Sequence, residues 1–283
     1  MIESPVPLIL LFTCRDQKGI VAAVTDSVFR SGGNIISAEQ HSTDPSNGRF
    51  FLRIVFYPGE GTGVKEFAGG FAAVADRFKA EWHVFDSREK MRMGILVSRP
   101  DHCLFDLLYL WRSGELNVEV PFVLSNCESH RQIVSQFGVP FYFIPANAAN
   151  RMEDHILALV KGASDLLVLA RYMLTLSRGF LDSYGKDIIN IHHGFLPSFK
   201  GARPYHQAYE RGVKVIGATA HFVTEKLDEG PIICQKVESV SHRDDVPALT
   251  RKGKNLEKHA LSSAVLAYTS HRVIRFGSKT IVF

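Results

Sequence analysis

Apolar positions in the first 85 residues follow two rhythms. Apolar-rich runs at 7–12 and 49–57, with a third extended run at 35–40, read as strands, the last two joined by the turn-rich Asp44-Pro-Ser-Asn47-Gly48. Between them, 21–29 and 64–78 carry apolar residues at helical spacing. Ser31-Gly32-Gly33-Asn34 stops the first of these helices. A short strand at 81–85 completes a βαββαβ order, a ferredoxin-like plan.

The rhythm changes after a short charged stretch, Asp86-Ser-Arg-Glu-Lys-Met91. Uniformly apolar segments at 93–97, 118–124, 141–144, 166–169 and 188–191 alternate with helical patterns at 103–111, 130–137 and 150–161. Such alternation predicts an α/β, doubly wound, mostly parallel sheet. Strands without a polar face are those covered on both sides. A helix at 204–211, strands at 213–222 and 232–240, a long helix at 246–268 and a closing hairpin at 275–283 follow. The expected domains are 1–86, a linker at 87–92, and a Rossmann-like domain at 93–283. The second domain lacks GxGxxG, so no dinucleotide cofactor is expected.

Composition narrows the class. The chain has 283 residues, 46% hydrophobic and 22% charged, in the range of an ordinary globular protein. The net charge of +4 suits an anionic ligand, but no Lys/Arg run marks a nucleic-acid partner. The basic face of 246–268 reads as solvated surface. Cys14, Cys103, Cys127 and Cys234 form no CxxC pair and read as reduced thiols, giving neither a disulfide framework nor a zinc site. The start of the chain does not read as an export signal, and no apolar run approaches the ~20 residues of a membrane span. A cytoplasmic location is the expectation.

The chemistry concentrates in 187–201. An apolar strand runs into Asn190-Ile-His192-His193-Gly194-Phe195-Leu196-Pro197-Ser-Phe199-Lys-Gly201. Open α/β sheets place ligands beyond the carboxyl ends of their strands. Asn190 and His192 lie two apart on an extended chain and face the same side. An amide and an imidazole donor converging on one point suit a carbonyl oxygen that gains charge under attack. Asp228, before the Gly230-Pro231 turn, can hold an imidazole charged or take a proton from water; alone, it also reads as an Asx turn. His192-His193 has no metal-ligand spacing around it, so no metal is expected. His193 packs under the loop or faces solvent, and His221, inside a strand pattern, reads as a satisfied core histidine. The reaction class is acyl transfer or acyl hydrolysis.

Asn190-x-His192, Leu196-Pro197-x-Phe199-x-Gly201 and Asp228-x-Gly230-Pro231-Ile232-Ile233 together resemble the signature of the formyltransferases that use 10-formyltetrahydrofolate. The resemblance implies a catalytic set of Asn190, His192 and Asp228, and a cis bond before Pro197. It implies a folate pocket that includes Arg171, Met173, Gly194, Leu196, Pro197 and Gly201. Met173 also reads as helix core, and Arg171 either joins an ion pair or meets an anionic ligand. The family commonly has Ser where Gly194 stands, and deformylases tend to have Gln where Leu174 stands. Asp16-x-Lys18-Gly19-Ile20 with Gly32-Gly33-Asn34-Ile35 resembles an ACT domain. That implies edge-to-edge pairing into a homodimer or homotetramer and an amino-acid effector near Asp16, Lys18, Gly19, Ile20 and Asn34. As residues alone, Asp16 and Gly19 equally make a turn and cap a helix.

With both parts present, nearly the whole chain is similar to the formyltetrahydrofolate deformylases. The function this implies is hydrolysis of 10-formyltetrahydrofolate to formate and tetrahydrofolate, with the folate as substrate and no cofactor. Formyl transfer to an amine such as glycinamide ribonucleotide is the alternative. A folate- or amino-acid-binding sensor without turnover is another.

Overall fold

The first apolar rhythm folds as its spacing dictates. The computed structural model describes residues 6–44, 47–197 and 204–283, in two compact units: 1–90 with 270–272 and 283, and 91–269 with 273–282. In the first unit β1 (Leu8–Arg15), β2 (Asn34–Ser42), β3 (Arg49–Tyr57) and β4 (Glu81–Asp86) form an antiparallel sheet of order β2-β3-β1-β4. Helices α1 (Ile20–Arg30) and α2 (Val64–Phe78) supply Val24, Val28, Phe67, Phe71 and Phe78 to a core with Leu10, Phe12, Ile54 and Phe56. Phe12 meets Phe71 edge-on at 5.9 Å, an arrangement that adds to the burial of both rings.

One charged side chain is sunk in this unit. Arg53 is 5% exposed. It pairs with Glu39 at 3.0 Å and donates to the carbonyls of His271 at 2.9 Å and Ser270 at 3.2 Å. Arg272 binds the same Glu39 at 2.7 Å. Residues 270–272 thus complete the set of partners of a buried cation that Glu39 alone satisfies only in part.

The second unit is built on β5 (Met91–Val97), β6 (Val118–Glu119), β7 (Val123–Ser125), β8 (Phe141–Phe143), β9 (Leu166–Leu169), β10 (Ile188–His192), β11 (Val215–Phe222) and β12 (Ile232–Ser239). The sheet order is β12-β11-β10-β9-β5-β7-β8, with β6 beside β5. From β8 to β10 the strands are parallel, whereas β11 and β12 run antiparallel. Helices α3 (His102–Ser113) and α8 (Val246–Thr269) cover one face with Leu104, Leu107, Leu256, Leu261 and Val265. Helices α5 (Glu153–Val160) and α6 (Arg178–Tyr184) cover the other with Ile156, Val160, Phe180 and Tyr184. Short α4 (Arg131–Ser135) and α7 (Pro204–Glu210), with the hairpin β13 (Val273–Phe276) and β14 (Lys279–Val282), complete the described elements.

The structure departs from the sequence expectation in five places. Met91 and Arg92 belong to β5, not to a connection, because Asp165 binds Arg92 at 2.7 Å and fixes the strand's start. The strand expected at 118–124 is two short pieces, since Pro121 has no N–H to give to a ladder. The helix expected at 130–137 is a 3₁₀ turn (Glu128–His130) followed by α4, and the one expected at 150–161 begins at Glu153. Helix α6 was not anticipated; Ser177 caps it by accepting from the Phe180 N–H at 3.1 Å.

Candidate active site

The parallel and antiparallel parts of the sheet meet at β10, and the polar side chains gather there. Register pairs Asn190 with His221 and His192 with Thr219 across β10 and β11. On β11 the apolar Ala218, Ala220 and Phe222 alternate with Thr219 and His221, so both polar residues share the face of Asn190 and His192. Thr219 holds the loop after β10: its hydroxyl donates to the Gly194 carbonyl at 2.9 Å and accepts from the Leu196 N–H at 3.1 Å. Gln235 donates to the Leu196 carbonyl at 3.0 Å. The Leu196–Pro197 bond is cis, as the resemblance implied.

The third member arrives on the turn after β11. Asp228 sits at φ 56°, in the left-handed region that short polar side chains tolerate. Two residues on, a Cβ at position 230 would lie 1.7 Å from the Phe222 carbonyl oxygen, so only glycine lets the chain double back here. The return is fastened by the Phe222 N–H donating to the Pro231 carbonyl at 2.9 Å.

Asp228 Oδ2 then lies 3.1 Å from His192 Nδ1, and Asp228 Oδ1 lies 3.7 Å from His221 Nε2. Burial alone would raise the Asp228 pKa; the hydrogen bond from His192 outweighs it and holds the carboxyl well below the usual range. His221 donates Nδ1–H to the Phe222 carbonyl at 2.9 Å, which leaves Nε2 to accept from Asn190 Nδ2 at 3.3 Å. The far nitrogen of His192, Nε2, is buried without a hydrogen-bond partner among the described residues. A buried polar atom left unpaired costs about 1–3 kcal/mol. This one belongs to a residue of the cleft wall, where a ligand atom can satisfy it.

That cleft has a volume near 330 Å³. Its walls are the segment after β9 (Leu169 to Leu176), residues Asn190 to His193, and Val223 to Asp228 with His221. Its size and mostly apolar lining fit a small organic ligand rather than an ion. Met173 lies in this wall, 54% exposed, and is not in a helix. Leu174 lines the same wall.

A second cluster stands behind His193. Glu257 of α8, 1% exposed, accepts from Tyr205 at 2.6 Å and meets His102 Nε2 at 2.8 Å. Arg171 Nε is 3.2 Å from the same carboxylate, close enough for an ion pair but not aligned as a hydrogen bond. Burial opposes ionisation of Glu257, but His102 and Arg171 prevail and lower its pKa. Burial, with help from Arg171, drives His193 down to about 4, so this imidazole is neutral at physiological pH. The donor atoms of His102, Cys103 and Glu257 lie within 4.8 Å of one another. A metal there would have to displace Arg171 and deprotonate a thiol that burial pushes up, so the trio reads as an ion-pair cluster.

Asn190, His192, Asp228, Arg171 and Met173 therefore line one cleft. Gly194 and Leu196 are buried in the loop that supports it, and Pro197 is exposed beside them. Gly201 lies outside the described residues. His221 is buried and satisfied as expected, and beyond that it touches two members of the expected set. In the first unit, Asp16, Lys18 and Gly19 form the turn after β1, where Asp16 accepts from the Ser42 hydroxyl. Ile20 points into the core. Asn34 pairs with Tyr57 at the start of β2, the opposite end of the sheet from Asp16, so one copy of the chain does not bring it to that turn.

Comparison with known proteins gives this geometry a lineage. The formyl transferase family model matches residues 91–265. The formyltetrahydrofolate deformylase of Bacillus subtilis is 45% identical over 281 residues, covering 97% of this chain and 93% of that protein. The chain belongs to the formyl transferase family, in its formyltetrahydrofolate deformylase branch. A deformylase crystal structure from Pseudomonas syringae pv. tomato superposes with a TM-score of 0.94 at 39% identity, covering 100% of this chain and 96% of that one. A glycinamide ribonucleotide transformylase from Symbiobacterium toebii superposes at 0.64 and 28% identity, over 69% of this chain and 94% of its own. The deformylase likeness thus takes in the first unit, beyond the span of the family model.

Proposed function

We propose that the chain hydrolyses 10-formyltetrahydrofolate to formate and tetrahydrofolate. The observation that carries the reading is the buried Nε2 of His192, unpartnered among the described residues and backed by Asp228 on the wall of a cleft that fits a small organic ligand. The match to deformylases over 97% of the chain supports water, not an amine, as the acceptor.

The folate lies in the cleft with its formyl group at the end of β10. His192, oriented by Asp228, and Asn190 donate to the formyl oxygen. Water attacks the formyl carbon. Its proton, strongly acidified as the new C–O bond forms, passes to Asp228. His221 fixes the Asn190 amide. The tetrahedral intermediate collapses, the C–N10 bond breaks, N10 takes the proton that Asp228 received, and formate leaves with release of the second water proton. The reaction as written needs no cofactor.

We further propose that the first unit is an ACT-type module. Its βαββαβ topology and the Asp16-x-Lys18-Gly19 turn support the reading. An amino-acid effector, a homodimer or homotetramer, and a cytoplasmic place in one-carbon metabolism linked to purine biosynthesis belong to the same proposal. No described helix is long and apolar enough to cross a membrane.

The test is formate release from 10-formyltetrahydrofolate with no amine present. The wild type turns over, and His192→Ala slows by about 10²–10³, the usual cost of one oxyanion donor. A wild type that releases no formate, or a His192→Ala variant with near-normal turnover, refutes the reading.

A further inference from the structure

Water is a poor competitor for a formyl group wherever an amine can reach it, so a hydrolase of this family must keep amines away. The cluster behind His193 is placed to do so. His102 opens α3 directly after β5, Arg171 follows β9, Tyr205 lies on α7 and Glu257 on α8. These four elements send their side chains to one carboxylate. Arg171 and His193 face the cleft, and the other three members stand behind them. His193 ties this wall to the catalytic loop: its ring is 5.2 Å from that of His192 and 6.3 Å from that of Tyr205.

Three features mark the wall as built rather than incidental. Arg171 adopts φ 64°, a left-handed conformation that costs any residue but glycine, so the position carries a long cation against the local preference of the backbone. Tyr205 fits because a glycine lies one turn before Glu257 on α8; a Cβ at Gly253 would fall 2.1 Å from the Tyr205 ring and hydroxyl. And Glu257 gathers three partners, so none of the wall is free to swing aside singly.

We infer that Arg171, braced by Glu257, His102 and Tyr205, is the residue that restricts the formyl carbon to water. It lines the cleft beside His193, and its side chain occupies room that an attacking amine needs, whereas the smaller water passes. The inference rests on the hydrolytic reading above and names what makes that site hydrolytic. Removing the guanidinium opens the competing reaction. An amine nitrogen then attacks the formyl carbon, the C–N10 bond breaks, N10 takes a proton, and the amine nitrogen loses one.

The experiment supplies 10-formyltetrahydrofolate with and without glycinamide and measures both formate and N-formylglycinamide. Arg171→Gly is the principal variant. Glycine accepts φ 64° without strain, and Glu257 keeps His102 and Tyr205 as partners. Tyr205→Ala opens the same wall from α7 and leaves Arg171 in place. The wild type makes formate alone, unaffected by glycinamide. Arg171→Gly makes N-formylglycinamide at least tenfold faster than the wild type at equal glycinamide, and Tyr205→Ala shows a smaller gain of the same sign. If both variants consume donor with no gain in transfer, or the wild type transfers as fast as they do, the assignment of Arg171 is overturned while hydrolysis stands. A wild type that consumes no donor instead fails the hydrolytic reading, and this one with it.

Discussion

His221 carries the sharpest consequence at the scale of single residues. It reaches no substrate atom in the mechanism above, yet its Nε2 faces both the Asn190 amide at 3.3 Å and Asp228 at 3.7 Å. Replacing it by Phe keeps the ring and loses the acceptor, so the amide is free to rotate away from the formyl oxygen. We expect kcat to fall by about tenfold or more with KM little changed, since an interaction confined to the transition state is lost. Steady-state kinetics on His221→Phe check this, and a pure KM effect would count against it. The residue was legible in principle. Ala218-Thr219-Ala220-His221 alternates strictly, and pairing it with Asn190-x-His192 puts four polar groups on one face. The strand pattern alone hid it, because alternation does not say which strand lies alongside. Glu257 was harder to see. It sits on a stripe with Leu249, Gly253, Ala260 and Ala264, where an acid belongs only if partners distant in sequence come to meet it. Those partners lie 52 to 155 positions away.

Among elements, the sequence was most informative where periodicity was long. The two helices of the first unit, the four strands around them, β9, β10 and α8 lie within a few residues of their expected bounds. It misled where a single residue interrupts a run, as Pro121 does, or where a short helix such as α6 depends on a cap and on burial of Phe180 and Tyr184. Helix α8 shows how local preference yields to packing. Glycine inside a helix costs about 1 kcal/mol relative to alanine, so Gly253→Ala would stabilise α8 in isolation. In the protein the added methyl meets Tyr205 head-on. We expect Gly253→Ala to lower unfolding stability by about 1–3 kcal/mol, the range for overpacking, and to reduce turnover by shifting the wall behind His193. Urea denaturation monitored alongside activity decides; a more stable, fully active variant would contradict this packing.

For the whole molecule, two half-buried histidines bear on stability toward acid. Burial lowers His193 to about 4, and burial with Arg53 nearby lowers His271 to about 4. Both titrate near 6.5 in an unfolded chain. Between those values the unfolded state binds more protons than the folded one, so stability rises with pH across pH 4 to 6.5 and is lost on acidification. Asp228 acts in the same direction at lower pH: its depressed pKa contributes stability above the unfolded value near 3.9, lost as pH falls through the folded one. Denaturant midpoints measured from pH 7.5 down to pH 4.5 should fall steadily, and replacing both histidines by Gln should flatten the slope. The Arg53 site has a different kind of consequence. A module for shuffling between genes has to carry its own contacts, and the first ninety residues do not: Ser270 and His271 supply the carbonyls that Arg53 binds, and Arg272 shares Glu39. Recombination at the 90/91 junction alone would part a buried cation from its acceptors. Any exchanged front end that keeps an arginine at 53 therefore also needs the 270–271 main chain held in the same place beside it.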